Sequence, residues 1–352
     1  EYMQILKVVF VIIGTLIGAG FASGQEIYTF FYSFGIKGII GTIISSAIIG
    51  TIIYKVLKIT KEKNINNYNE LLELFVKNKK TREIINIITN IFILLSFYVM
   101  VAGFGAYLQQ EYKINSIIGS AILAILTYLI LKKNIKGIVN INQILIPILI
   151  AIIIIIGIIN AKNIDINSII NIQEQNKNNW VIISILYASY NSVLLIPMLI
   201  TLKKYTEKNK TIILASIIST IIIEILLITV YIFLTKIDID IKTIEMPAVY
   251  AIKQIYPKAT AIYGIIILIS IFTTAISLGI SILNNTAKND KQFNKINLLM
   301  CITSVIFSKI GFSNLINTLY PILGIMGIIQ IVLIIKQNTK KLLQKQIKTD
   351  IT

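Results

Sequence analysis

The sequence predicts an all-α polytopic membrane protein, and three observations carry that expectation. Apolar residues make up 56% of the 352 positions and charged residues only 14%, with a mean hydropathy of +0.81. A water-soluble domain carries more charge than this and cannot hide so much apolar surface. Ten stretches are apolar over the length of helix, about 20 residues, that crosses a bilayer. The basic residues gather in alternate connections between those stretches.

The ten segments run over roughly 5–32, 36–58, 83–109, 114–131, 136–160, 179–202, 211–235, 260–284, 295–310 and 313–335, the ninth being the shortest. An even number puts both termini on one side. With the N-terminus cytoplasmic, Lys7 and the connections after every second segment hold 24 of the 33 Lys and Arg residues, in line with the positive-inside bias. The expectation is a multi-pass protein of the cell (plasma) membrane, with cytoplasmic N- and C-termini and a basic cytoplasmic tail over 336–352. The lipid bilayer is its principal partner. The net charge of +17 follows from this loop pattern, and no nucleic-acid partner is expected. Part of it also reflects the joint richness in Ile, Asn and Lys that an AT-rich genome gives. The first apolar run is too long for a cleavable signal peptide.

Cys301 is the sole cysteine, so no intrachain disulfide forms. Histidine is absent from the sequence, which removes the commonest transition-metal ligand and the commonest proton relay. The chain is not read as an enzyme, and no organic cofactor is expected. Most loops are short. The inner connection 59–82 contains an amphipathic stretch at 68–77. The outer connection 236–259 contains Met246, Pro247, Ala248, Val249 and Tyr250. Its positions 241–256 read as a short outer helix capping the path, a candidate lid.

The first segment is interrupted. Gly14, Gly18, Gly20 and Gly24 crowd its middle, where each glycine costs about 0.8–1 kcal/mol relative to alanine in a helix interior. Close packing through small residues accounts for Gly14 and Gly18. It does not account for Gly20, Ser23 and the adjoining Gln25 and Glu26. An unwound stretch within 17–24 accounts for all of them, and irregular backbone at membrane depth is tolerated where it lines a cavity. The sixth segment carries a second polar cluster, Tyr187, Ala188, Ser189, Tyr190, Asn191 and Ser192, with Pro197 beyond it. Interhelical hydrogen bonding is one reading of that cluster. A second break within 186–193 is the other, because segments one and six begin the two halves of a ten-segment chain. Five is odd, so the halves have opposite orientation. Breaks at matching positions of inverted repeats mark a transporter's binding site. The expected architecture is a 5+5 inverted repeat, repeat one over about 5–160 and repeat two over about 179–335, with discontinuous first and sixth helices.

The stretch 14–24, followed by Phe30, Phe31 and then Phe34, Gly35, Ile36, Lys37 and Gly38, resembles the YkvI-type bacterial membrane proteins. These are similar to distant members of the amino acid–polyamine–organocation superfamily with the LeuT fold. The resemblance covers the ten-helix layout, and its specific motif lies in the first 40 residues. It implies a sodium site between the first break and the eighth helix. Matching the glycine pattern puts the carbonyl ligands at Gly14 and Ile17 and the hydroxyl ligands at Ser270, Thr273 and Thr274. Oxygen ligands suit a hard cation. Ser270, Thr274, Ser277 and Ser281 also share one helical face. The competing reading is that these hydroxyls bond back to their own helix.

A proton is the rival driver. Without histidine, Glu224, alone near the middle of segment seven, and Glu26, beside the first break, are the candidate proton sites. A structural hydrogen bond is the other role open to Glu224, with Thr220 and Tyr231 on its face. The candidate solute site comprises Gly18, Ala19, Gly20 and Phe21 at the first break with Tyr98, Tyr187, Ser189, Tyr190 and Asn191. Tyr107 is a further possible wall, and Trp180 is placed as an interfacial anchor. Half-helix N-termini favour an anionic group, and tyrosine faces favour an amine. The expected solute is therefore a small amino acid-like molecule or amine, carried by a sodium-coupled symporter through alternating access. A small-molecule sensor of the same fold, like the membrane subunits of spore-germination receptors, is the alternative function. No charge ring or filter motif supports a channel.

Overall fold

The computed structural model describes residues 2–132, 138–161, 172, 178–287 and 289–336, with side chains of 138–145 and 161 excepted. Positions 337–352 of the expected basic tail, and the loop lysines Lys133, Lys136 and Lys288, lie outside the described residues.

In a bilayer every backbone N–H and C=O must be satisfied within the protein, and long Ile-, Leu- and Val-rich runs meet that demand as helices. The helices are α1 (Tyr2–Leu16), α2 (Ala19–Ser23), α3 (Gln25–Phe30), α4 (Ile36–Glu62), α5 (Tyr68–Phe75), α6 (Lys79–Tyr112), α7 (Ser116–Lys132), α8 (Ile138–Ala161), α9 (Trp180–Thr201), α10 (Asn209–Leu234), α11 (Pro247–Ile255), α12 (Pro257–Thr286), α13 (Asp290–Phe307) and α14 (Phe312–Lys336). Asparagines that the composition supplies freely mark several starts. Asn67, Asn78, Asn179 and Asn289 each accept a backbone N–H from the first turn of the helix that follows.

Seven described helices are long and apolar enough to cross a membrane: α4, α6, α9, α10, α12, α13 with its following turn, and α14. Three shorter apolar helices, Tyr2–Leu16, Ser116–Lys132 and Ile146–Asn160, accompany them. Each overlaps one of the ten segments read from the sequence, most running a few residues past its expected ends. Ile43, Ile87, Ile125, Ile221, Ile262 and Ile325 are exposed, whereas Ser45, Thr89, Ser120, Asn191 and Thr273 are buried. Apolar outside and polar inside is the pattern a lipid solvent selects.

Helices α1, α4, α9 and α10 pack on one another, and α6, α7, α12 and α13 form a second group. Helix α8 touches α1, α10 and α12, while α14 touches α9, α4 and α6. The pairings recur with a shift of five spans. Thus α8 against α1, α10 and α12 corresponds to α14 against α9, α4 and α6. The amphipathic α5 docks through buried Tyr68, Leu71 and Leu72, and the connection between α10 and α12 carries the short helix α11, as the sequence predicts.

The first segment is broken at two points. Gly18 N–H turns to the carbonyl of Leu16 at 3.0 Å, so Gly14 O loses its usual i+4 donor. The chain is extended at Gly18 (φ −100°, ψ −167°) before α2 begins. A second kink follows at Gly24, whose φ of +82° is left-handed backbone that a side chain disfavours. A Cβ there would also lie 3.0 Å from both the Ala248 N and Cβ of the lid helix.

The expected break in the sixth segment is corrected. Helix α9 is continuous from Trp180 to Thr201, through Tyr187, Ser189, Tyr190 and Asn191 and past Pro197. Asn191 Nδ2 donates to Tyr187 O at 3.0 Å and Ser192 Oγ to Ala188 O at 2.6 Å. These side chains bond back to their own helix, so they do not demand unwound backbone.

Candidate functional site

The site is built where the first break meets helices α6, α9, α12 and α14. Ile17, the last residue before the extended step, presents its carbonyl to α12. Ser270 Oγ donates to it at 2.7 Å and Thr274 Oγ1 lies 3.3 Å from it. These two hydroxyls are four residues apart, one helical turn, and therefore face the same way. Ile17, Ser270 and Thr274 are buried. The result is a set of neutral oxygens, carbonyl and hydroxyl, joining the break to the eighth span. Among the described residues no cluster of His, Cys, Asp or Glu has the make-up of a metal site. A monovalent hard cation does not need one, because carbonyls and hydroxyls alone can replace its water.

One of the five expected cation ligands is bonded elsewhere. Thr273 Oγ1 donates to Ser270 O of its own helix at 3.1 Å. Its side chain lines an apolar cavity with Ile146, Leu149, Ile266 and Ile269. Thr273 Oγ1 is thus bonded to its own helix and not to the Ile17 carbonyl. Gly14 sits under the Ile146 side chain, 2.8 Å from where a Cβ would be. Its contribution is the carbonyl released by the turn at Gly18.

The solute-site residues divide as well. Gly18 would bring a Cβ to 3.0 Å from Met100 Cε and 3.7 Å from Thr274 Cγ2, and the Ala19 N–H points to Met100 Sδ at 3.3 Å. Gly20 lies beneath Glu26, since a Cβ on Gly20 would be 2.1 Å from Glu26 Oε1. Phe21 and Tyr187 line a small cavity with Ile13, Leu16, Ile17 and Leu226. Tyr187 and Tyr190 pack with ring centroids 5.4 Å apart. The Tyr190 hydroxyl donates to Glu26 Oε2. Ser189 Oγ is buried without a hydrogen-bond partner.

Tyr98 is corrected out of the site. Its hydroxyl lies 2.6 Å from Thr303 Oγ1 and its ring 4.8 Å from that of Phe307, so it faces the ninth span. Two residues along a helix is about 200° of rotation, and Met100, two residues on, is the side chain that reaches the break. Tyr107 lies against Gly264 and Tyr112 instead.

Glu26 is 3% exposed. Besides Tyr190, the Phe21 backbone N–H bonds to its carboxylate. Glu224 sits elsewhere, between α10 and α4, where Thr42 Oγ1 lies 2.9 Å from its Oε1 and its Oε2 is unpartnered. On its face, Thr220 bonds back to Ser216 O at 2.8 Å and Tyr231 donates to Gly35 O at 2.8 Å.

Several residues that the sequence reading did not single out complete the site. Tyr263 donates to Ala22 O at 2.7 Å and pins α2 to α12. Phe30 and Tyr320 stack on Tyr190, with centroids 5.6 Å and 4.6 Å away. The residues just before α11 are held by paired bonds. Gln110 Oε1 accepts from Met246 N at 2.9 Å while its Nε2 donates to Met246 O at 3.3 Å. Glu245 Oε2 accepts from both Ser313 N, at 2.8 Å, and Ser313 Oγ, at 2.9 Å.

The fold has counterparts among solved transporters. The nucleobase-cation-symport-1 family transporter Mhp1, in a closed conformation with bromovinylhydantoin bound, matches with a TM-score of 0.67 at 12% identity, over 91% of this chain and 74% of that one. A substrate-bound, outward-open Na+-coupled sialic acid symporter matches at 0.63 and 14%, over 91% and 75%. MhsT in complex with L-phenylalanine matches at 0.56 and 15%, over 91% and 87%. The chain has the LeuT-like transporter fold. In sequence it is 27% identical over 335 residues to the uncharacterized membrane protein YkvI of Bacillus subtilis (strain 168), over 90% of this chain and 91% of that protein. It is likewise 27% identical over 335 residues to the uncharacterized protein YyaD of the same organism, over 92% and 94%. No family model matches the chain. With its apolar helices and these relatives, the chain is a membrane-embedded helical protein.

Proposed function

We propose that the chain is a cation-coupled secondary transporter, driven by sodium, that moves a small amino acid-like or amine solute by alternating access. On this reading it has ten spans in two inverted repeats of five, with both termini cytoplasmic, in the cell membrane. The recurrence of helix pairings at a shift of five spans supports the repeat. The observation that carries the sodium reading is the Ile17 carbonyl, exposed by the break and met by the Ser270 and Thr274 hydroxyls. Sodium displaces the hydroxyl protons from that carbonyl, the three oxygens turn lone pairs to the ion, and the break is tied to α12. The solute then binds beside it, between the break and Tyr187 and Tyr190 of α9, and the lid and Gly24 close over both.

Glu224 supports a second driver. It is a carboxyl group in a span with one oxygen unpartnered, the placement expected of a proton carrier. The two readings separate in proteoliposomes loaded with neutral amino acids and small polar amines one at a time, with sodium and proton gradients imposed separately. The sodium reading expects uptake that follows the sodium gradient. Uptake that ignores sodium, follows the pH gradient and vanishes in Glu224→Gln overturns it. Specific solute binding with no uptake under either gradient instead marks a sensor of the same fold.

A further inference from the structure

Glu26 is a carboxyl group enclosed in the middle of the bundle, and among the described residues no Lys or Arg is paired with it. Its contacts are neutral: the Tyr190 hydroxyl, the Phe21 N–H and the bare Cα of Gly20. The Gly20 contact is specific. With Glu26 Oε1 2.1 Å from where a Cβ would stand, only glycine lets this side chain fold back onto the break. A carboxylate so far from water needs a positive partner or a proton.

The Tyr190 ring that meets Glu26 belongs to an aromatic cluster. Phe30 and Tyr187 are 5.4 Å apart, Phe30 and Tyr190 5.6 Å, Tyr187 and Tyr190 5.4 Å, and Tyr190 and Tyr320 4.6 Å, centroid to centroid. They come from three elements, α3, α9 and α14, so the grouping is made by the fold. Ring faces attract cations and do not attract anions. The set offers one negative group and π faces and, among the described residues, no cation for a carboxylate.

We infer that the solute is a primary or secondary ammonium ion without a carboxylate, paired with Glu26 and enclosed by Phe30, Tyr187, Tyr190 and Tyr320. The inference rests on the transport-site reading above and narrows it. The ammonium displaces the Tyr190 hydroxyl from Glu26 Oε2 and neutralises the buried charge. A zwitterion satisfies Glu26 with its amine but brings a second carboxylate into a site that already holds one, which like-charge repulsion opposes.

Three related probes test this by calorimetry on the protein in detergent and sodium chloride: leucine, its decarboxylated amine isoamylamine and its deaminated acid 4-methylpentanoate. Isoamylamine binds, leucine binds about tenfold more weakly or worse, and 4-methylpentanoate does not compete. Glu26→Gln, near-isosteric and checked by its unfolding temperature, weakens isoamylamine by about thirtyfold or more. Tyr190→Phe keeps the ring but removes the competing hydroxyl, and tightens isoamylamine by about threefold. The inference is overturned by no isoamylamine binding, by tighter leucine binding, by a Glu26→Gln variant that binds the amine as the wild type does, or by a Tyr190→Phe loss as large as that of Glu26→Gln. Sodium-driven leucine uptake without amine binding overturns the amine assignment and leaves transport standing. Isoamylamine binding without uptake of any solute keeps the site and overturns transport.

Discussion

Replacing Ser270 with alanine removes the shorter of the two hydroxyl contacts on the Ile17 carbonyl, 2.7 Å against 3.3 Å for Thr274. The usual range for such bonds is about 2.5–3.0 Å, so Ser270 holds the carbonyl more firmly. Loss of that partner costs about 1–3 kcal/mol when the acceptor is left buried. If the same oxygen ligates sodium, the ion loses a comparable amount, a fall in affinity of about 5- to 150-fold. The assay is the unfolding temperature of purified protein as sodium chloride replaces potassium chloride at constant ionic strength. A bound ion at about 100 times its dissociation constant stabilises by about 2.7 kcal/mol, enough to move the midpoint. The wild type is stabilised selectively by sodium, and Ser270→Ala shifts that curve to higher sodium by about tenfold. Thr274→Val shifts it less. Thr273→Val does not shift it, because the Thr273 hydroxyl is bonded to Ser270 O. A Ser270→Ala protein that loses baseline stability while its sodium curve overlays the wild type refutes the ligand role and leaves the hydroxyl purely structural.

Three further outcomes follow from the geometry. Glu224→Gln keeps sodium-dependent uptake, since an amide can still accept from Thr42; loss of sodium dependence in this variant counts against a purely structural carboxyl. Gln110→Ala combined with Glu245→Ala cuts the paired bonds to Met246 and Ser313. In a Cys301→Ser background it speeds thiol labelling of Val249→Cys, on the buried face of the lid helix, by about fivefold or more, whereas unchanged labelling argues that the lid does not depend on these latches. Tyr98→Phe lowers stability by about 1 kcal/mol through its lost bond to Thr303 and leaves solute binding intact; weakened solute binding would return Tyr98 to the site.

Most of the helical layout was legible in the sequence because bilayer span length and loop charge are local signals. The first break was legible for the same reason. Four glycines and an adjoining polar pair conflict with helix continuity wherever they occur. The sixth segment misled because polar residues at mid-span have two physical outcomes. Asn191 and Ser192 satisfied themselves on carbonyls four residues earlier, and periodicity does not tell a back-bonded side chain from a vacated backbone. Thr273 and Tyr98 misled through rotation. Each is adjacent or nearly adjacent to a residue that does face the break, Thr274 and Met100, and the facing side is set by packing against α8 and α13. Tyr320, Phe30, Gln110 and Glu245 had no local signal, because each acts through a partner distant in sequence. The Gly20–Glu26 contact was present in outline, as a glycine and an acid on either side of Gly24, but it needs the kink at Gly24 to bring them together.

Coupling is the central claim, and it is tested most directly by running it backwards. Proteoliposomes are prepared with equal sodium on both sides and no membrane potential. A gradient of one solute from a panel of neutral amino acids, ethanolamine, choline and putrescine is then imposed, and radioactive sodium is followed. A symporter accumulates sodium down the solute gradient and against its own, because the two movements share one cycle and the coupling is reciprocal. Accumulation that Ser270→Ala sharply reduces is the predicted result. Solute entry with no movement of sodium contradicts the account.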